Sequence, residues 1–437
     1  MTKKILIIGA GPAGLFCAHE LVKYGMAPII IEKEDHVGGL AATHHCKFGS
    51  FEIGPHIFHT KDQYIMDIAR SYLGNDLLLK DWKVTQFIEG KLFVFPNSIK
   101  DMISKLGIVR MLGFILSYIL SQLTTGKDFR SFIYKKVGKR LAHFNVINYT
   151  EKMWGIPIED LEVGWIKPRM NRLSIWKIIK TFVKGHERSF HYPNLGSGML
   201  YELIAKNVEV QLQEWPISIE VDQNKVIIKT NKDSYEVDHL ISSIPLITLY
   251  ELLHIKHHNP SKLQIESLKH RSQVYVMLTY DRADIIEDLW IYFPEPHYPF
   301  CRVHSAGAFS DAHVRGQVSI LVFEYFCFEG DVLWNTSDQE LITLTSLHFN
   351  KTSLIENAQI IDSLVLRQSK AYPLMDKRRL KSINDIQSSI NHQCIHLIGR
   401  HGLHTYDNQD EAGRTGVDTA LKILKKNSIR PSHGSLY

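Results

Sequence analysis

Cysteine is scarce in this 437-residue sequence: five occur, Cys17, Cys46, Cys301, Cys327 and Cys394, widely separated and without a CxxC pair. That excludes a disulfide-stapled scaffold and a thiolate zinc or redox motif, and it is the usage expected in a reduced, cytoplasmic compartment. Charge is nearly balanced, with a net +5, and the basic residues are scattered. A nucleic-acid stripe is therefore not expected, although a mild positive excess favours anionic small molecules. No internal repeat or low-complexity tract is present. The opening apolar run, "KKILIIGAG", is short, has no small-residue cleavage site after it, and reads as a buried strand rather than a secretory leader. No stretch supplies the roughly 20 apolar residues that span a bilayer. The most lipophilic one, Leu106 to Leu123, is interrupted by Arg110, two serines and a glutamine. It reads first as a buried helix and second as a helix lying against a membrane surface, a peripheral contact through 106–123.

What is present belongs to a globular protein, 44% hydrophobic and 22% charged, long enough for two or three domains. "KILIIGAGPAG" begins as an Ile/Leu strand, turns through glycines and enters an amphipathic helix that Gly25 ends; "APIIIEKED" is a second buried strand closing on Glu32. This is a βαβ unit, the start of a doubly wound parallel sheet. "WKVTQFIEGKLFVFP" predicts a hairpin turning at Glu89-Gly90. A mainly helical stretch runs from about Ser98 to Trp176, and short strands follow in "VEVQLQEWPISIEV" and "NKVIIKT". The strand and helix of "CIHLIGR" and "EAGRTGVDTALKILKK" close the pattern, which implies that the C-terminus completes the N-terminal sheet. The expected division is 1–97 and 195–250 with 367–428 for the nucleotide domain, 98–194 as a helical cap, 251–366 as a mixed substrate segment, and a frayed tail at 429–437.

"GAGPAG" places Gly9, Gly11 and Gly14 at the three positions of a phosphate-binding turn, with Pro12 and Ala13 between them. The first allows the turn, the second lets a pyrophosphate approach the backbone, and the third lets helix and strand pack. The helix start offers free N–H groups and the positive end of its dipole. Glu32, followed by Lys33, stands 18 residues beyond Gly14, where a carboxylate can accept from ribose hydroxyls. A second glycine pair, Gly38-Gly39 before Leu40, continues the bare backbone along a longer cofactor and favours FAD over NAD. Gly399 and Arg400 in "LIGR" are candidates for the flavin end. The fold expected is thus α/β, an FAD-binding Rossmann-like domain interleaved with a mixed α+β substrate domain and a helical insertion.

The stretch "FEIGPHIFHT" joins a Gly-Pro break to two histidines, His56 and His59, with no third ligand suggested for a metal. Together with "GAGPAG", "EKEDHVGGL", "YTEKMWG", "PFCRV", "EY" at Glu324-Tyr325, "YPLMD" and "GRHGLHTYDNQD", it resembles the UDP-galactopyranose mutase family within the wider amine oxidase and protoporphyrinogen oxidase group. The resemblance implies that Gly54, Pro55, His56 and Ile57 run beside the flavin ring, with Asn408 and Gln409 also at the cofactor. It implies that Arg172 and Arg302 hold a nucleotide diphosphate, aided by Tyr325 and Tyr406, while Tyr149 and Trp154 accommodate uridine. Guanidinium suits that task because it is always charged and binds phosphate through two donors. The activity implied is a non-redox pyranose–furanose interconversion of a nucleotide sugar for polysaccharide precursors. It needs reduced FAD, with NAD(P)H as an external reductant, in a cytoplasmic protein that pairs as a homodimer. His404 ahead of Tyr406 and "DNQD" in place of Asp-Met depart from the bacterial pattern, so an FAD-dependent oxidoreductase is the alternative. Arg302, in "YPFCRVHS", is expected to turn inward between apolar neighbours and wait for an anion.

Overall fold

The computed structural model describes residues 3–167, 189–222, 224–253 and 268–426. Strand Ile5–Ile8 lies at the centre of a five-stranded sheet. On one side it pairs with Ile29–Glu32 and then Glu209–Leu212, on the other with His239–Ser242 and then Ile395–Leu397, all parallel. The central strands are continuous apolar runs because both faces are covered, one by helices and the other by helices together with the three-stranded sheet Pro216–Asp222, Lys225–Thr230 and Ser234–Val237. Ile5 and Ile7 face the cluster of Leu15, Phe16, Tyr201 and Val417, and Leu6 and Ile8 face the cluster of Leu240, Leu246 and Ile386. Helix Gln409–Lys426 packs on Pro12–Lys23 through glycines: a Cβ on Gly416 would lie 2.1 Å from Ala13 O, and one on Gly413 2.8 Å from the Phe16 ring. The C-terminus therefore completes the N-terminal sheet, as the sequence implies.

A second sheet has seven strands in the order Ile360–Pro373, His270–Tyr280, Ser319–Cys327, Arg302–Ser305, Trp290–Tyr292, Val84–Ile88, Lys91–Val94. Its pairings are antiparallel except that of Trp290–Tyr292 with Val84–Ile88. The hairpin 84–94 turns at Glu89 (φ 52°) and Gly90 (φ 72°), the left-handed pair of a type I′ turn. Sequence placed that hairpin in the nucleotide domain and split 360–373 at residue 366; both belong to the second sheet, since a strand's period does not name its partner.

The helical segment contains Ile99–Leu106, Ile108–Ser121, Phe129–Val137 and Ile147–Trp154, the first and third capped by Ser98 and Asp128. The reading of 106–123 as a buried helix is overturned. Only Phe114, Ser117 and Ser121 of helix Ile108–Ser121 are buried, and most of its aliphatic side chains face outward. Among the described residues no helix is long and apolar enough to cross a membrane.

Candidate functional site

The glycine turn is built as its spacing requires. Gly9 has φ +101°, and a Cβ there would meet Ser243 Oγ at 2.2 Å; one on Gly14 would strike Gly9 O at 2.0 Å. Gly11 differs, because its Cβ would meet only Gly39 Cα, 4.0 Å away. Gly11 thus keeps space free rather than relieving a clash. Gly38, at φ +100°, ties the second glycine pair to the first through its N–H to Ala10 O, 2.8 Å. Glu32 is buried and accepts from Ala10 N at 2.7 Å and Glu34 N at 3.0 Å. One amide on each oxygen leaves lone pairs for two hydroxyl donors. Lys33 is exposed beside Glu34.

From this turn a cavity of about 850 Å³ runs past Gly39 and Leu40 to His56, Gly399, Arg400, Asn408 and Gln409. Pro12 and Ala13 line it as well; Glu214, Trp215, Ser243 and Lys370 were not foreseen. Its length and bare glycine floor suit an extended dinucleotide. Gly14 lies behind the floor as packing, and Ile57 packs in the cluster of Trp82 and Trp290.

The Gly54–Ile57 segment, of which His56 lines the cavity, is fixed by its backbone. Ser197 Oγ donates to His56 O (2.5 Å), Gln409 Nε2 donates to Ile57 O (3.1 Å), and Phe58 exchanges two 2.9 Å bonds with His191. His56 Nδ1 is buried without a hydrogen bond, 3.7 Å from Glu52 Oε2. Glu52, missed in the sequence, accepts from Tyr192 OH (2.7 Å) and Ser197 N (2.5 Å). Burial pushes its carboxyl up, but His56, His313 and the Ser197 amide hold it below the usual range. Gly54, at φ +97°, passes over three groups: its Cβ would lie 3.7 Å from Arg302 Nη2, 3.8 Å from Glu324 Oε2 and 3.9 Å from His56 Cε1.

Arg302 does turn inward, but its anion is already present. Nε and Nη2 donate to Glu324 Oε1 and Oε2 at 2.7 and 2.6 Å, across the register pair Arg302–Glu324. Glu324 is fully buried; burial pushes its carboxyl up, but Arg302 and His304 outweigh that and hold it at about 2. Gln273 Nε2 and His304 Nδ1, each 3.3 Å away, complete its shell. Tyr149 and Tyr292 flank the pair, their rings 5.1 Å apart, and burial raises both phenols, with Arg302 pulling them down.

Other expected residues separate from this group. Tyr325 is corrected: strand alternation turns it away from Glu324, and its hydroxyl bonds Thr345 Oγ1 at 2.6 Å in the core. Trp154 is interior, 1% exposed, packed on Trp165 and Tyr406. Tyr406 stacks on Tyr372 at 5.5 Å. Arg400 lines the cavity but spends its donors on Asp407 O and Ala371 O, above the Tyr372 ring. Arg172 lies outside the described residues. A buried cation not foreseen, Arg271, donates to Met153 O (3.0 Å) beneath Gly155. His270, His401 and His404 cluster nearby, with ring centres 5.6 and 4.9 Å from His270. Among the described residues no group of three or more His, Cys, Asp or Glu could hold a metal ion.

Residues 7–72 match the model of the NAD(P)-binding Rossmann-like domain. A probable UDP-galactopyranose mutase of Klebsiella pneumoniae is 24% identical over 48% of this chain and 56% of its own length. The UDP-galactopyranose mutase of Mycoplasma pneumoniae is 25% identical over 36% and 42%. The chain thus spans about half the length of the curated relatives it matches. In three dimensions it superposes on a reduced UDP-galactopyranose mutase with a TM-score of 0.85 at 20% identity, covering 97% of this chain and 96% of that one. A putative protoporphyrinogen oxidase from Exiguobacterium sp. 255-15 gives 0.77 at 14% identity, covering 98% and 99%. The chain has the fold of the UDP-galactopyranose mutases and is similar to them in sequence, as the "GPHIFHT" resemblance implies.

Proposed function

We propose that this protein is an FAD-dependent mutase that interconverts pyranose and furanose forms of a nucleoside-diphosphate sugar for cell-surface polysaccharide. The observation that carries the reading is that His56, which lines the glycine-floored cavity, meets the Arg302–Glu324 pair across Gly54. Bound FAD, in its reduced form, supplies the covalent chemistry at the sugar. The first helical turn and Gly11 receive the pyrophosphate, and Glu32 accepts from ribose hydroxyls. Gly54 and the immobilised His56 backbone form a wall thin enough for ring and sugar to lie together. The Arg302 guanidinium, beside Tyr292, meets a diphosphate oxygen while Glu324 fixes its plane. The fixed donors then stabilise the departing diphosphate without reorganising.

The same reading makes the protein cytoplasmic and homodimeric, with NAD(P)H as external reductant. An FAD-dependent oxidase is the second reading, because the fold is shared with a putative oxidase. The sequence similarity to mutases favours the first. The test is incubation of FAD-loaded protein with UDP-galactose, with and without dithionite. A furanose product only after reduction supports the mutase; steady oxygen consumption with an oxidised product supports the oxidase instead.

A further inference from the structure

Helix Ile108–Ser121 has its polarity reversed. Two of its three buried residues are serines, and they serve the backbone: Ser117 Oγ accepts from Arg140 N at 2.9 Å and Ser121 Oγ from Lys139 N at 3.0 Å. The outward side carries Val109, Leu112, Ile115, Leu116, Ile119 and Leu120, from 53% (Ile115) to 85% (Val109) exposed. A helix on a water-facing surface shows the opposite arrangement. A contiguous exposed apolar face of this kind marks a docking surface.

Charge and length identify the occupant. Residues 98–140 contain nine Lys and Arg against two Asp, a net +7, whereas the whole chain carries +5. Beside the apolar face runs a groove of about 1160 Å³, lined by Leu116 and Leu120 on one side and by Lys139 and Arg140 on the other. Of its four acids, Glu89 and Glu159 are paired with Arg110 and Arg130, Asp128 caps helix Phe129–Val137 by accepting from Ser131 N, and Glu295 accepts from Glu89 N. Lys139 and Arg140 are exposed and have no acidic partner among the described residues. Such concentrated positive charge opposes a second copy of the same face and complements an anionic one. At about 1.5 Å per residue the 14-residue helix is about 21 Å long, too short to cross a hydrocarbon core of about 30 Å. It can lie in the plane of the interface.

We propose that this helix docks the protein on a bilayer containing anionic phospholipid, its leucine face in the acyl boundary and Lys139 and Arg140 against headgroup phosphates. The proposal rests on the helix and not on the mutase reading. The experiment is co-sedimentation of the full chain with vesicles of phosphatidylcholine alone or mixed with phosphatidylglycerol. Binding to the mixed vesicles, weakened by salt and much weaker to phosphatidylcholine, is expected. Leu116→Gln and Leu120→Gln should each reduce it about tenfold, from the transfer energy of one leucine. Lys139→Glu with Arg140→Glu should reduce it by more than the roughly fivefold per cation of simple neutralisation. All variants should keep the melting temperature and FAD content of the parent. Failure to bind either vesicle, binding indifferent to both sets of variants, or a dimer that Leu116→Gln dissociates would overturn the proposal.

Discussion

Arg302→Ala is the most informative single change, and its effect is larger than that of removing a ligand contact. Glu324 is fully buried and receives two short bonds from Arg302, so truncation leaves a carboxylate held only by His304 and Gln273 at 3.3 Å. Breaking a buried pair from one side costs about 3 to 5 kcal/mol, and the surviving donors place this case near 3. Titration gives a consistent size. Glu324 is held at about 2, against about 4.3 for an unperturbed glutamate, which corresponds to about 3 kcal/mol. Because the folded value is the lower one, this stability is present above about pH 4.3 and is lost as pH falls towards 2. The assay is urea unfolding with saturating FAD, at neutral pH and in steps down to about pH 3. Arg302→Ala should be destabilised at neutral pH and should lose its acid limb, while Arg302→Met combined with Glu324→Leu recovers most of the loss. A loss under about 1 kcal/mol, or a double variant as unstable as the two single changes summed, would refute the reasoning.

Gly11→Val should fold but purify without FAD, since its side chain enters the cavity and meets only Gly39; the flavin spectrum and melting curve report this. Gly14→Ala should lower the melting temperature itself, because its Cβ lies 2.0 Å from Gly9 O. Tyr325→Phe should lose about 1 kcal/mol with the Thr345 bond and leave UDP affinity unchanged by calorimetry; weakened UDP binding would return Tyr325 to the substrate site. His404 is fully buried with neither ring nitrogen bonded, and burial holds it and His401 well below the usual histidine range, with His270 at about 4. Their folded values are depressed, so the neutral forms are favoured in the fold. Stability is full above about pH 6.5 and falls below it as the unfolded chain takes up protons. His404→Phe should flatten that decline in pH-dependent urea melts.

What could be read in the sequence follows from how local each signal is. The phosphate turn was legible because Gly9, Gly11 and Gly14 answer to separate steric demands at fixed spacing, and Glu32 ends the adjacent strand. The return of 395–426 to the first sheet was legible from a strand and helix with nothing else to pair with. The Arg302–Glu324 pair was not, because it depends on the register between two strands that only tertiary pairing sets. Tyr325 was misread although its neighbour held the correction: consecutive strand residues face opposite ways, so Glu324 and Tyr325 cannot both reach one site. Glu52 went unnoticed two residues before Gly54, since an acid at the end of the short strand Gly49–Glu52 gives no hint of Tyr192 and Ser197 beside it. Helix Ile108–Ser121 defeated hydropathy because composition identifies an apolar helix and not the side its leucines take.

The most direct test of the whole account is an anaerobic titration of the FAD-loaded protein with dithionite, following furanose formation from UDP-galactose beside the flavin absorbance. The account predicts that turnover rises in proportion to the reduced fraction and that the flavin is still reduced after many turnovers. Turnover that is greatest for oxidised flavin, or that reoxidises or bleaches it stoichiometrically with substrate, would contradict the assignment of a non-redox mutase.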